Sequence, residues 1–447
     1  MKFGGTSVKD AEAINNAIEI IKTRLVRKPV VVSSATSKTT DSLIQLGKSA
    51  CIGDGKKTKE ILDELRERHL KICRELISDS QRQKNITGKI ISIFQELENI
   101  VNGIFLLSEL SARSLAKVSS IGEVISTNII SEALSDRGIE NEWVDVKKFM
   151  LTNDNYQNAE PMFNEIKEKT PEVLCPIIEP GKVAVTQGFI GSTYEGITTT
   201  FSRGGSDFTA SIIGMAMNAE EIEIWTDVDG VLSADPRIVS SPKIIDEISF
   251  KEAAELAFFG AKVLHPSTIV PAIEKNIPVR ILNSKNPKFK GTLIKADVKE
   301  NGFTIKSITS KKDIKVINIY SPKMLFAHGF LRRIFEIFDK FKTSVDLITT
   351  SEVNVSLTLD GYNRIDDIIN ELSEFSEVKM EEDKSLICIV GNNMKYERGI
   401  EKKIFQVLGD YTISMISQGA SVINLSFVVQ RDEMDSVIKT LHKEFFE

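Results

Sequence analysis

The chain has few of the residues that staple or anchor a fold. It has four cysteines, Cys51, Cys73, Cys175 and Cys388, far apart and none with a CxxC neighbour. That spacing indicates neither a zinc site nor a redox pair. Scattered thiols in so long a chain suit a reducing compartment, and the expected location is cytoplasmic. No run of about 18 apolar residues is visible, and no signal peptide precedes the opening loop. Basic residues are not in excess either. The net charge of -6 gives no surface for nucleic acid or membrane. An apolar share of 41% and a charged share of 27% leave an ordinary globular protein. Its 447 residues are too many for one core and argue for about two to three domains.

What is present alternates. Ile14, Ile18, Ile21 and Leu25 form one helical stripe that Pro29 ends, and VVVSS (30–34) reads as a buried strand. Residues 57–135 read as mostly helical. Strand-like runs return at 183–190, 221–225 and 277–282 with helical runs between them, the pattern of a layered α/β domain. The lysine-rich stretch KSITSKKD (306–313) reads as a boundary. Behind it lies an internal repeat offset by 70 residues. Gly329, Ile334 and Phe335 fall on Gly399, Ile404 and Phe405; Ser344, Ser351, Asn354 and Ser356 fall on Ser414, Ser421, Asn424 and Ser426. Seven identities with one hydrophobic pattern argue for two copies of a small βαββ-type module.

Three polar loops follow strands. The opening KFGGTS (2–7) has the spacing of neither a P-loop nor a dinucleotide fingerprint. Gly4 and Gly5 would still let amides approach an anion, with Thr6 and Ser7 as hydroxyl donors and Lys2 as the charge. The plainer reading is a strand-to-helix turn with a surface lysine. TTTFSRGGSDFTA (198–210) repeats the glycine pair, with Ser206 and Asp207 at a helix start, where either would also serve as an N-cap. Arg203 before the glycines suits bidentate binding of a carboxylate. SSATSKTTD (33–41) is the third loop. On one edge of a parallel sheet, the three would form a cleft for an anionic ligand.

KFGGTS (2–7), SxxxKTTD (34–41), GEVIST (122–127), TQGFIG (186–191), RGGSD (203–207), WTDVDGV (225–231), DPR (235–237) and FGAKVLHP (259–266) occur in this order. In that set the chain resembles the aspartate kinases nearly end to end. TSVDLITTSEV (343–353) is most similar to the lysine-inhibited monofunctional branch. The resemblance implies an amino-acid-kinase (carbamate-kinase-like) three-layer α/β domain with a mainly parallel sheet over residues 1–300. Two ferredoxin-like βαββαβ ACT modules would follow, at 301–384 and 385–447, the second completed by residues near 303–313. The implied reaction is L-aspartate plus ATP giving 4-phospho-L-aspartate and ADP, with Mg²⁺ held mainly by nucleotide oxygens and water. Lysine is the implied inhibitor, and the implied assembly is a homodimer or dimer of dimers through the ACT modules.

The resemblance also implies roles. Lys2 and Lys262 would sit on the triphosphate. Asp207 and Glu123 would hold the substrate ammonium or organise the lysines. Arg203 would bind the α-carboxylate, with Ser34, Thr40 and Ser206 completing the aspartate pocket. Gly4, Gly5, Gly204 and Gly205 would give amide donors. Thr6, Ser7, Thr226, Asp227, Asp235 and Arg237 would lie toward the nucleotide. Met324, Gly329, Phe330, Ser344, Val345, Asp346, Thr350, Ser351 and Glu352 match the effector site, and Asp346 and Glu352 would suit a lysine cation. No metal ligand set is implied among the side chains.

Each position has a plainer alternative. Glu123 reads as an exposed helix glutamate, Lys262 as part of a solvated face, His265 as a packing histidine at a helix end, and Trp225 as core rather than an adenine stack. The sequence also departs from the family. Only Met1 precedes Lys2, so the first strand is expected to be nearly absent, and Leu232 stands where many relatives have tyrosine. A catalytically weak amino-acid sensor on the same fold is the alternative function.

Overall fold

The computed structural model describes the whole chain except Arg203 and residues 261–265, 299–304, 326–327 and 362–363. Its contacts divide it into two compact units. The first comprises Met1–Gly230 with Leu264–Ala296, and the second Val231–Val263 with Asp297–Glu447.

The first unit runs β1 (Lys2–Phe3), α1 (Ala11–Lys22), β2 (Val30–Ser33), α2 (Thr39–Cys51), α3 (Gly55–Leu76), α4 (Ser80–Leu107), α5 (Ala112–Asp136), β3 (Asn141–Val144), α6 (Phe163–Ile178) and β4 (Val183–Gln187). A hairpin of β5 (Ile190–Ser192) and β6 (Thr198–Thr200) leads into α7 (Gly205–Ala216) and β7 (Ile222–Thr226). The second unit takes β8 (Glu247–Ser249) and α8 (Phe250–Phe258), and the first resumes with α9 (Val270–Glu274), β9 (Val279–Asn283) and β10 (Thr292–Lys295). The first unit's strands lie in the order β3-β4-β2-β1-β7-β9-β10. All neighbours are parallel except β9 and β10.

β1 is only two residues long, yet it is central. Lys2 pairs with Val32 on one side and Ile224 on the other. Phe3 and Trp225 are fully buried and stack at 6.1 Å, so Trp225 is core. Alternation along the strands makes the layers: Val183 and Val185 face a core built from α1 to α5, while α6 and α7 pack on the opposite face.

α4 is the one element among the described residues long and apolar enough, by length and composition, to cross a membrane. It is not an unbroken apolar run, since Lys89, Glu96 and Glu98 lie within it. Polar residues interrupt the apolar ones, which conceals the segment from a search for unbroken runs. Ile86, Ile90, Phe94, Leu97, Val101 and Ile104, spaced by three and four, are buried in the first unit's core.

The second unit carries an antiparallel sheet ordered β12-β13-β11-β14-β16-β15. Its elements are β11 (Ile305–Tyr320), α10 (Phe330–Lys340), β12 (Ile348–Thr350), β13 (Asn354–Leu359), α11 (Ile365–Ser373), β14 (Glu377–Gly391), α12 (Ile400–Val407), β15 (Met415–Gln418), β16 (Asn424–Gln430) and α13 (Met434–Phe446). The repeat is visible residue by residue. Gly329 and Gly399 cap α10 and α12 with φ of 80° and 82°, a left-handed turn that favours glycine. The stretch 306–313 is not a linker but the first half of a 16-residue strand. Ser307, Ile308 and Thr309 are buried, and Lys311, Lys312 and Lys315 meet Asp346, Asp435 and Glu382. Two of the lysines that read as a boundary, Lys311 and Lys312, are thus ion-paired along a sheet, as is Lys315 just beyond it.

Candidate active site

The strand order places the loops after β1, β2, β4 and β7 at the carboxyl ends of neighbouring parallel strands. The chain leaves β1 toward β2 on one side and reaches β7 on the other. A crevice at such a reversal is where open α/β sheets bind ligands. Here it is a cleft of about 830 Å³ in the first unit. Lys2, Gly4, Gly5, Thr6, Ser34, Thr40, Glu123, Gly204, Gly205, Ser206, Asp207 and Thr226 all line it, drawn from five stretches of chain.

Lys2 is buried and its Nζ lies 2.8 Å from Asp207 Oδ1 in the first turn of α7. A cation at the end of a central strand thus meets a carboxylate at a helix start. Glu123 is not the exposed helix residue of the plainer reading: it is 3% exposed, and its Oε2 has no hydrogen-bond partner. Burial pushes its carboxyl up to about 8, against the pull of the Ala35 backbone N–H and of Lys2. A partnerless carboxylate oxygen on a cleft wall is a site for a cation or donor.

Close packing sets this geometry. A Cβ on Gly122 would stand 2.7 Å from Ala35 Cβ, so α5 can lie against the 34–41 loop, and Ser126 Oγ donates to Ser34 O at 2.8 Å. A Cβ on Gly188 would stand 2.5 Å from Ser206 Cβ. Gly188→Ala is therefore expected to displace the first turn of α7, lowering stability by about 1–3 kcal/mol and turnover with it. Thermal unfolding and initial rates measured together check this.

Two of the four glycine amides expected as donors are already engaged. Gly4 N–H donates to Trp225 O and Gly205 N–H to Ser202 O, both at 3.0 Å. Their use is close approach, since a Cβ on Gly5 would stand 3.0 Å from Ala35 O and one on Gly205 2.8 Å from a Phe189 ring carbon. Ser7 is also engaged elsewhere: its hydroxyl donates to Trp225 O and accepts from Ser284 Oγ. Asp227 does not line the cleft and accepts from Thr226 Oγ1 at 3.3 Å. Asp235 and Arg237 belong to the second unit, where they bond each other. Arg203, Lys262 and His265 lie outside the described residues. Lys38, Asp41, Ser119 and Gln157 also line the cleft and were not assigned from the sequence. Lys38 and Asp41 sit inside a quoted motif, but the left-handed φ of 63° at Lys38 leaves no sequence signal.

The expected effector residues all belong to the second unit. Asp346 Oδ1 is 2.8 Å from Lys311 Nζ, which also bonds Asp360, so this carboxylate already holds an internal ammonium. Thr350 ends β12, and Ser351, Glu352 and Ser344 are exposed. Gly329 caps α10, Phe330 packs edge-on against Phe375 at 5.5 Å, and Met324 and Val345 pack against the same core. Phe326 and Ala327 lie outside the described residues.

Residues 1–283 match the amino acid kinase family, and residues 387–445 match the ACT domain. The fold and the cleft thus define an amino acid kinase with ACT regulatory modules. The lysine-sensitive aspartokinase 3 of Escherichia coli strain K12 is 38% identical over 100% of this chain and 98% of its own. The chloroplastic aspartokinase 1 of Arabidopsis thaliana is 36% identical over 100% of this chain and 80% of its own. The crystal structure of E. coli aspartokinase III with aspartate and ADP (R-state) superimposes with a TM-score of 0.86 at 37% identity, covering 100% and 99% of the two chains. The form with lysine and aspartate (T-state) gives 0.82 at 38%, with the same coverage. The chain belongs to the aspartokinase family and is an enzyme of it.

Proposed function

We propose that the protein phosphorylates the side-chain carboxylate of L-aspartate with ATP, giving 4-phospho-L-aspartate and ADP, as the first step toward lysine, threonine and methionine. The observation that carries this is the Lys2–Asp207 pair in one cleft with the Glu123 carboxyl, whose Oε2 has no hydrogen-bond partner. The complex of the E. coli relative with aspartate and ADP supports the choice of ligands. An aspartate side chain with a reference pKa of about 3.9 is already ionised at neutral pH, so no base is required. One carboxylate oxygen forms a bond to the γ-phosphorus as the bond to the β,γ-bridging oxygen breaks, and ADP leaves. The task is to bring two anions together and hold them in line. Lys2 is assigned to the transferring phosphoryl group together with Lys262, and Asp207 keeps Lys2 in place. Glu123 receives the substrate ammonium, Arg203 its α-carboxylate, and Ser34, Thr40 and Ser206 give hydroxyls. Gly4, Gly5, Thr6, Gly204, Gly205 and Thr226 shape the nucleotide side.

Mg²⁺ is expected with the nucleotide. Among the described residues no group of three His, Cys, Asp or Glu side chains could hold a metal ion. The described side chains supply no cage, and the ion is assigned to phosphate oxygens and water.

Lysine is assigned as the inhibitor at the ACT modules, supported by the lysine complex of the E. coli relative. Glu352 is exposed and remote in sequence from the cleft residues. Glu352→Ala is expected to raise the lysine concentration for half inhibition by about tenfold, the loss of one charge-assisted contact, with uninhibited turnover unchanged. Equal loss of both would refute the assignment. A cytoplasmic location and pairing of subunits through the ACT modules complete the proposal. ADP release with ATP, Mg²⁺ and L-aspartate, with the acyl phosphate trapped by hydroxylamine, tests the reaction; turnover without hydroxamate would exclude it.

A further inference from the structure

One wall of the cleft, residues 34–41, is held from behind by a group that the reaction does not require. α3 carries Arg68 and His69 side by side. Arg68 Nη2 reaches Ser37 O at 2.8 Å, Thr39 Oγ1 at 2.7 Å and also Thr36 Oγ1. His69 is fully buried, with Nε2 at 3.0 Å from Thr36 Oγ1 and Nδ1 at 2.7 Å from Leu65 O. A backbone carbonyl only accepts, so Nδ1 carries the proton and Nε2 accepts from the Thr36 hydroxyl. Burial holds the ring's pKa down to about 4, which keeps this neutral tautomer in place at working pH. Thr36 has one proton, and His69 takes it. Thr36 Oγ1 therefore accepts from Thr39 Oγ1 at 2.7 Å and from Arg68. With its two hydrogens, Arg68 Nη2 serves Ser37 O and the Thr36–Thr39 hydroxyl pair.

The network is costly to leave unmade. Thr36 and Thr39 are each 1% exposed, and Arg68 Nε is buried without a partner. A half-buried arginine whose Nε is left without a partner, spent on a loop with no function, has no evident structural return. The loop it grips carries Ser34 and Thr40, both on the cleft.

We infer that Arg68 and His69 are positioning residues that lock the 34–41 loop in its aspartate-binding form, and that they set affinity for the carboxylate substrate rather than for the nucleotide. This rests on the proposed reaction. Neither residue lines the cleft; they act through Thr36 and Thr39.

The test is steady-state kinetics on the full chain, varying aspartate and MgATP separately. Arg68→Met and the near-isosteric Thr36→Val are expected to raise KM for aspartate by about tenfold or more, the scale of a misplaced binding group. KM for ATP should stay within about twofold. His69→Leu should do the same, and His69→Gln, whose amide oxygen can accept the Thr36 proton, should recover most of the affinity. A role in stability alone would lower the active fraction and leave both KM values in place, and that result overturns the inference. So does an unchanged KM for aspartate in Arg68→Met, or equal effects of His69→Leu and His69→Gln. A wild-type chain that neither turns over nor binds aspartate by calorimetry overturns the reaction itself, and the inference with it.

Discussion

Lys2→Met is expected to lower kcat by about 10²–10³, the scale on which a preorganised charge stabilises a transition state. The phosphoryl group in transfer carries charge on its oxygens, and Lys2 is a buried ammonium at the mouth of the central strand. The substitution has a second effect that must be separated. Lys2 and Asp207 have side chains only 10% and 16% exposed, so removing the cation strands a desolvated carboxylate. Breaking such a pair costs about 3–5 kcal/mol when it is deeply buried. The double variant Lys2→Met, Asp207→Asn removes both charges. Its unfolding temperature should return toward wild type while its kcat stays low. Initial rates of ADP release and thermal unfolding measured on the two variants decide the matter. A Lys2→Met enzyme within about fivefold of wild-type kcat would remove Lys2 from the chemistry.

Much of this site was legible in the sequence because each loop is a contiguous motif with its own chemistry. KFGGTS brings Lys2 to the cleft from a central strand of the parallel sheet, and RGGSD brings Ser206 and Asp207 there from the start of α7, after the antiparallel hairpin of β5 and β6. The 70-residue repeat aligned Gly329 with Gly399, and both stand at helix starts in the left-handed conformation that favours glycine. Other features left no local trace. Arg68 and His69 sit in RERHLKI, which reads as the polar face of a long helix; their partners lie about thirty residues upstream and are reached only through the packing of α3 on α2. Lys311 and Lys312 would have the same composition in a linker and in a strand, and only their acidic partners, 35 or more residues away, distinguish the two. Glu123 was ambiguous for the converse reason. A glutamate on a helix is usually solvated, and its burial follows from Gly122 letting α5 close on Ala35.

That burial makes Glu123 the source of the second large effect. In the free enzyme its carboxyl, pushed up to about 8, is mostly protonated at neutral pH. The aspartate ammonium arriving beside it would favour the charged form and pull that value down. Binding of aspartate at pH 7 is therefore expected to release close to one proton per site, by linkage. Titration calorimetry in two buffers of different ionisation enthalpy measures it directly. Glu123→Gln should abolish the release and raise KM for aspartate by about 30–100-fold, the loss of a charge-assisted hydrogen bond. The same group shapes stability with a definite sign. The native carboxyl titrates near 8 and the unfolded one near 4.5. The unfolded chain thus holds fewer protons between those values, and native stability falls as pH rises through that window. The slope from this one group is at most about 1.4 kcal/mol per pH unit, and the contribution is fully present below the unfolded value. Glu123→Gln should flatten the decline without moving the acid limb below pH 4, where both forms are neutral. Calorimetric heats independent of the buffer in the wild-type protein would show that Glu123 is already ionised before aspartate arrives, and would leave the ammonium without this partner.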